Sequence, residues 1–124
     1  MGYTTEFDGQ IDIKPKLSKK LIKEINALND NPCSGRDNLG NRYPEGSVWC
    51  QWLASEDGTC LYWDGNEKFY NAEGWMGYII DRFVYPNKRK ANGEIEAQGE
   101  EMHDRWKLIV TKNKVTTRHM PIDW

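Results

Sequence analysis

Histidine is nearly missing from this chain: among 124 residues only His103 and His119 occur. Cysteine is sparse as well, with Cys33, Cys50 and Cys60 and no CxxC pair among them. An odd number of cysteines without paired spacing argues against a disulfide framework and against a zinc site. Long apolar runs are absent, and none approaches the ~18 residues of a membrane span. Met1–Gly9 lacks the charged and apolar regions of a signal peptide, so a reduced, cytoplasmic location is expected. The chain carries no phosphate-loop or dinucleotide glycine motif, no HExxH and no Gly-x-Ser-x-Gly. Basic excess is missing too. Lys and Arg number 17 against 19 Asp and Glu, a net charge of -2, which argues against a general nucleic-acid binder. No stretch matches the RNP1 pattern of RNA-binding sheets. The apolar fraction of 38% falls below the ~45–50% of ordinary globular chains, so the core must be small.

Aromatic residues are plentiful instead, at 12% with six tryptophans, and this excludes simple disorder. The length fits one domain over residues 1–124. Its first segment alternates: Tyr3, Thr5, Phe7, Gly9, Ile11 and Ile13 point one way and polar residues the other, as in a strand with one buried face that ends at Pro15. Ser18 is placed to cap a helix whose apolar stripe is Leu21, Ile22, Ile25 and Leu28. Residues 30–47 form a long polar loop without periodicity, and such loops are functional or mobile. Asp57-Gly58 signals a hairpin whose register sets Trp52 opposite Trp63 and Ala54 opposite Leu61. Asn71 caps a second helix that buries Ala72, Met76, Ile79, Ile80 and Phe83 and is ended by Pro86. Asn92-Gly93 reads as a turn into a strand over Glu94–Gly99. A strand from Trp106 follows, with a short last one over Val115–Arg118, and the tail 119–124 is expected to fray. The order β-α-β-β-α-β-β predicts an α+β fold of the ferredoxin-like split β-α-β type, an antiparallel sheet with two helices on one face.

Candidate chemistry is thin. Glu94 and Glu96 share a strand face, but paired carboxylates do acid–base work only where one is desolvated, and His103 sits in an acidic turn. Asp37, Asn38 and Asn41 lack the spacing of a calcium loop and read as turn residues. Cys33, in the loop, is the most accessible thiol expected. No metal or cofactor is expected. Trp52, Trp63 and Trp106 are expected in the core, and Trp49, Trp75 and Trp124 at the surface. The polar residues Glu67, Lys68, Glu100, Asp104 and Arg105 resist a packing explanation, and Asp104 and Arg105 are placed to pair with Lys68 and Glu67.

Gly2-Tyr3-Thr4-Thr5, Trp49-Cys50-Gln51-Trp52, Glu56-Asp57-Gly58-Thr59 and Trp63-Asp64-Gly65 stand out together. Glu67-Lys68-Phe69-Tyr70, Asn92-Gly93-Glu94-Ile95, Ala97-Gln98-Gly99-Glu100 and Asp104-Arg105-Trp106 accompany them. This set resembles a family of small bacterial and phage proteins over nearly the whole chain, apart from Asp30–Ser47 and the residues after Arg118. The resemblance brings no catalytic residues. It implies an accessory gene carried by a phage or mobile element.

Two functions are therefore expected in competition, ahead of a hydrolase using Glu94, Glu96 or His103. One is a non-enzymatic protein that binds a protein partner through acidic and aromatic surface at Trp49, Tyr62, Glu67, Lys68, Trp75, Glu100, Asp104 and Arg105, in its concrete form an inhibitor of a host defence system. The other is a domain for a small polar ligand or nucleotide, with the long loop closing over a pocket lined by Trp49, Tyr62 and Glu67.

Overall fold

The computed structural model describes residues 3–46 and 48–120. Its elements run β1 (Glu6–Lys14), α1 (Lys19–Asp30), β2 (Trp52–Ala54), β3 (Cys60–Trp63), α2 (Ala72–Ile79), β4 (Lys90–Gln98), β5 (Arg105–Thr111) and β6 (Lys114–His119). The strands form one sheet in the order β2-β3-β1-β4-β5-β6, with every neighbouring pair antiparallel. A six-stranded antiparallel sheet with two helices is the α+β class expected from the chain.

The period-two patterns decide which face is covered. Phe7, Ile11 and Ile13 on β1 lie across from Ala97, Gly93 and Ala91 on β4, and Leu108 and Val110 on β5 continue the same face. With Trp52, Ala54 and Leu61 these side chains join the buried residues of both helices, Leu21, Ile25 and Leu28 of α1 and Trp75, Met76 and Ile79 of α2, in one apolar cluster. The intervening positions, Glu6, Asp8, Asp12, Glu94 and Glu96 among them, are exposed. The helices therefore cover one face and leave the other open.

Local signals place the elements. Ser18 Oγ accepts from the Leu21 amide at 3.2 Å, which satisfies one of the orphan donors at the start of α1. The hairpin register is as expected, with Trp52 opposite Trp63 and Ala54 opposite Leu61. β2 is an edge strand, and Asn26 of α1 shields it: its side chain accepts from the Ala54 amide at 2.8 Å and donates to the Ala54 carbonyl at 3.3 Å.

Several expectations need correction. Asn92-Gly93 is no turn: both lie inside β4, whose nine residues pair with all of β1. A turn dipeptide sits there because β1 approaches so closely that only glycine fits opposite Ile11. The second helix is not uniform up to Pro86. Beyond Ile79 it widens into a π-helical stretch, Ile80–Val84, and tightens into a 3-10 turn, Tyr85–Asn87, that contains the proline. Trp75 is fully buried at 0% exposure rather than at the surface, because Tyr43 of the long loop packs over it while Met76 and Ile79 face the sheet cluster. Trp63 and Trp106 are only half-buried at the cluster's margin. The last strand runs through His119, and Met120 donates from its amide to the Arg105 carbonyl at 2.9 Å, so the start of the tail is held. Trp124 and the rest of the tail, residues 121–124, lie outside the described residues.

Candidate functional site

The open sheet face carries segregated charge. On β1 and β4 stand Glu6, Asp8, Asp12, Glu94 and Glu96, with Lys14 opposite Lys90 only at the far end of the pair; on β5 and β6 stand Arg105, Lys107, Lys114 and Arg118. The register aligns four of them in a single row: Asp8 opposite Glu96, Glu96 opposite Lys107, and Lys107 opposite Arg118. Asp12 on β1 and Lys114 on β6 repeat the outer charges of that row further along their strands. Like charges directly opposite one another destabilise a sheet, so Asp8 with Glu96 and Lys107 with Arg118 each work against folding. Glu94 is partly neutralised, lying 3.2 Å from the Lys107 ammonium. At one end of the sheet a cleft of about 490 Å³ is lined by Glu6, Asp8, Glu96, Gln98 and Arg105 together with Phe7 and Trp63. The cleft exists because β3 follows β1 only at Ile11 and Asp12 and then departs.

A second feature is a groove of about 940 Å³ between the long loop and the segment before α2. Its walls include Arg36, Tyr43, Val48 and Trp49 from the loop and Glu67, Lys68 and Tyr70 from the other side. Trp49 is 44% exposed there. Lys68 adopts a left-handed backbone at φ 62, an uncommon conformation for a residue with a Cβ.

The loop that forms this groove is anchored. Its residues 35–43 fold back on themselves, the Tyr43 amide donating to the Gly35 carbonyl at 3.0 Å and the Asp37 amide to the Asn41 carbonyl at 2.8 Å. Asp37 is the anchor. One carboxylate oxygen accepts from the Leu39 and Asn41 amides, each at 2.9 Å, and the other accepts from the Tyr78 hydroxyl at 2.7 Å. Arg82 lies 3.5 Å from that second oxygen, and the Asp37 side chain is only 5% exposed. Tyr43 packs its ring against Tyr78 and Trp75 at 5.3 and 5.9 Å. Burial alone would raise the Asp37 pKa, but the bonds from Tyr78, Asn41 and Leu39 outweigh it and hold the carboxyl below its ordinary value. Burial, reinforced by the Asp37 carboxylate, pushes the Tyr78 hydroxyl far up.

Asp37→Ala is expected to free the loop. It strips a buried hydroxyl of its acceptor, which costs about 1–3 kcal/mol. Hydrogen exchange at residues 35–43 should rise while α1 and the sheet stay protected. The pH dependence has a definite sign. A depressed carboxylate pKa contributes stability above the unfolded value of about 4, and that contribution is lost as pH falls through the folded value. The difference in Tm between wild type and Asp37→Ala should therefore be full at neutral pH and close in acid.

The expected site residues scatter. Trp49, Glu67 and Lys68 line the groove. Tyr62 does not: it stands on the open sheet face, on β3 opposite Leu53 of β2. Trp75 is core. Glu100 and Asp104 belong to the β4–β5 turn, where they tie down the start of the chain: the Tyr3 hydroxyl donates to Asp104 at 2.7 Å, and the Thr4 amide donates to Glu100 at 3.1 Å. Arg105 lies at the sheet-end cleft. Among the described residues, no ion pair joins Asp104 or Arg105 to Glu67 or Lys68. Asp37, Tyr43, Tyr78 and Arg82 form a cluster that no local pattern in the sequence announces. The spacing of Tyr78 and Arg82 on one helical stripe was legible, but the long loop gave no sign that Asp37 would meet it.

Chemical options are limited by exposure. Glu94 and Glu96 are both exposed, so neither is desolvated for acid–base work. His103 lies exposed at the β4–β5 turn. Burial pushes the Cys50 thiol up to about 12. Cys33 is half-buried, and burial raises its thiol too, against the hydrogen bond from Tyr43, so it lacks the depressed pKa of a reactive cysteine. Among the described residues no group of three or more His, Cys, Asp or Glu could hold a metal ion, and no helix is long and apolar enough to cross a membrane. Compared with protein-family models, with curated proteins and with solved structures, the chain matches none.

Proposed function

We propose that this chain is a non-enzymatic interaction protein that binds a protein partner through the acidic and aromatic part of its open sheet face. The observation that supports this most is the gathering of Glu6, Asp8, Asp12, Glu94 and Glu96 on β1 and β4, with Asp8 and Glu96 in direct opposition. That arrangement costs folding energy, which Lys107 offsets at Glu94 and Glu96 and which cations approaching from outside offset at Glu6, Asp8 and Asp12. Tyr62, 39% exposed beside β1, supplies an aromatic anchor of the kind that dominates interfaces. The architecture suits the role. The first four strands, in the order β2-β3-β1-β4 around two helical crossovers, support the ferredoxin-like reading, with β5 and β6 widening the sheet. The resemblance to small phage proteins supports a concrete version, an accessory protein that binds and inhibits a component of a host defence system.

Asp8→Lys with Glu96→Lys tests the reading. Wild type should retain a basic host protein at low salt, and the double variant should release it with the fold intact by circular dichroism. Equal retention by both would sink the proposal.

The groove favours a second reading, a small polar ligand or nucleotide held between Arg36, Lys68, Trp49 and Tyr70. A ligand-dependent rise in Tm that Trp49→Ala abolishes supports it. No shift across a nucleotide and metabolite set counts against it.

A further inference from the structure

The acidic half of the open face has its own complement beside it, and this points to a specific occupant. We propose that the face docks onto the same face of a second copy of this chain, in a two-fold symmetric dimer held by charge. The inference rests on the reading of the open face as a binding surface and names one partner for it.

The geometry follows from the register. Along the row Asp8–Glu96–Lys107–Arg118 the charges run negative, negative, positive, positive from β1 to β6. A two-fold axis parallel to the strands, lying above the boundary of β4 and β5, turns a second sheet face-down and reverses this order. β1 then lies over the partner's β6, and β4 over its β5. Asp8 meets an arginine at the position of Arg118, and Glu96 meets a lysine at the position of Lys107. Asp12 meets the lysine at the position of Lys114. Each contact occurs twice by symmetry, as in any isologous interface. The alternative axis, parallel to the row, sets like charges together and is excluded by repulsion. Strands of the two sheets stay aligned, the ordinary arrangement of face-to-face sheets. The row spans three strand spacings, about 14 Å, well within the sheet.

Two further observations support a second copy. The two like-charged pairs in the row, Asp8 with Glu96 and Lys107 with Arg118, each destabilise the monomer, and the dimer relieves both at once. A partner with only cations would relieve the first and leave the second. The face is also uncovered, since both helices pack on the opposite side.

A charge-exchange experiment tests the dimer. Sedimentation of wild type at low ionic strength should show a monomer–dimer equilibrium whose dissociation constant rises at least about tenfold when salt shortens the Debye length to about 3 Å. Asp8→Lys with Glu96→Lys makes the row entirely positive, and Lys107→Glu with Arg118→Glu makes it entirely negative. Each double variant should be monomeric alone, and an equimolar mixture should form a heterodimer. Circular dichroism of each variant checks the fold, and mixing restores association only if the two rows face one another. A wild type that is monomeric at low salt, or a dimer that persists in either double variant, overturns the proposal. The wider reading fails differently. If wild type is a monomer yet retains a basic protein that Asp8→Lys with Glu96→Lys releases, the face binds a foreign partner and the dimer is excluded.

Discussion

Trp52→Ala is expected to destabilise the chain by about 3–5 kcal/mol, the range for removing a large buried aromatic. Trp52 is fully buried, and its ring meets Phe7 at 5.3 Å and Phe69 at 5.1 Å in edge-on geometry. It links three parts of the molecule: the β2 edge of the sheet, β1 through Phe7, and the start of α2 through a hydrogen bond from Nε1 to the Ala72 carbonyl at 2.9 Å. For a chain of this length the loss corresponds to a fall in Tm of roughly 10–20 °C. Trp52→Phe keeps an aromatic ring but loses the indole bond to the Ala72 carbonyl, which keeps its helical partner, so the bond itself should cost about 0.5–1.5 kcal/mol. Thermal melts of the two variants separate packing from hydrogen bonding. A Trp52→Ala protein that melts within a few degrees of wild type would show that the cluster around Phe7 repacks without it.

Local patterns made a large part of this fold legible. β1 alternates, and its apolar inward residues Phe7, Ile11 and Ile13 are the buried ones. Ser18 and Asn71 cap the helices they were expected to cap, Asn71 by accepting from the Gly74 amide at 3.2 Å. The Trp52–Trp63 register follows from one turn. What stayed hidden depends on contacts between distant segments. Trp75 and Tyr78 share a helical stripe in the chain, and only the packing of Tyr43 against both shows that this stripe is covered by the loop. Residues 30–47 carry no periodic signal, and the fold of residues 35–43 rests instead on Asp37 meeting Tyr78. The candidate surface was half legible. The acidic character of Glu94 and Glu96 is plain in the chain, but their alignment with Asp8 needs the β1–β4 register, which a turn at Asn92-Gly93 would have forbidden.

Gly93 belongs to a pair of glycines that sets the spacing of β1 and β4. Gly9 and Gly93 lie diagonally across the β1–β4 pair, Gly9 opposite Ile95 and Gly93 opposite Ile11. Their φ angles are 118 and 153, in a region that side-chain-bearing residues scarcely enter. A Cβ on Gly9 would stand 2.7 Å from the Glu94 carbonyl oxygen, and one on Gly93 would stand 2.7 Å from the Gln10 carbonyl oxygen. These are backbone atoms in the middle of the sheet and cannot swing aside. Gly9→Ala and Gly93→Ala should each cost about 1–3 kcal/mol through backbone conformation alone, with the clash added to that. The double variant should cost less than the sum of the two. Once one Cβ has forced β1 and β4 apart, the space for the second is partly open, and neighbouring sites couple in this way. Denaturant midpoints of the three variants measure the coupling. Strict additivity would mean that the two strands yield independently at each glycine. The same separation moves Asp8 away from Glu96, so a glycine variant that still folds should lose the charged row's geometry and associate more weakly at low salt. Loss of stability and loss of association then share one cause, the close approach of two strands that only paired glycines allow.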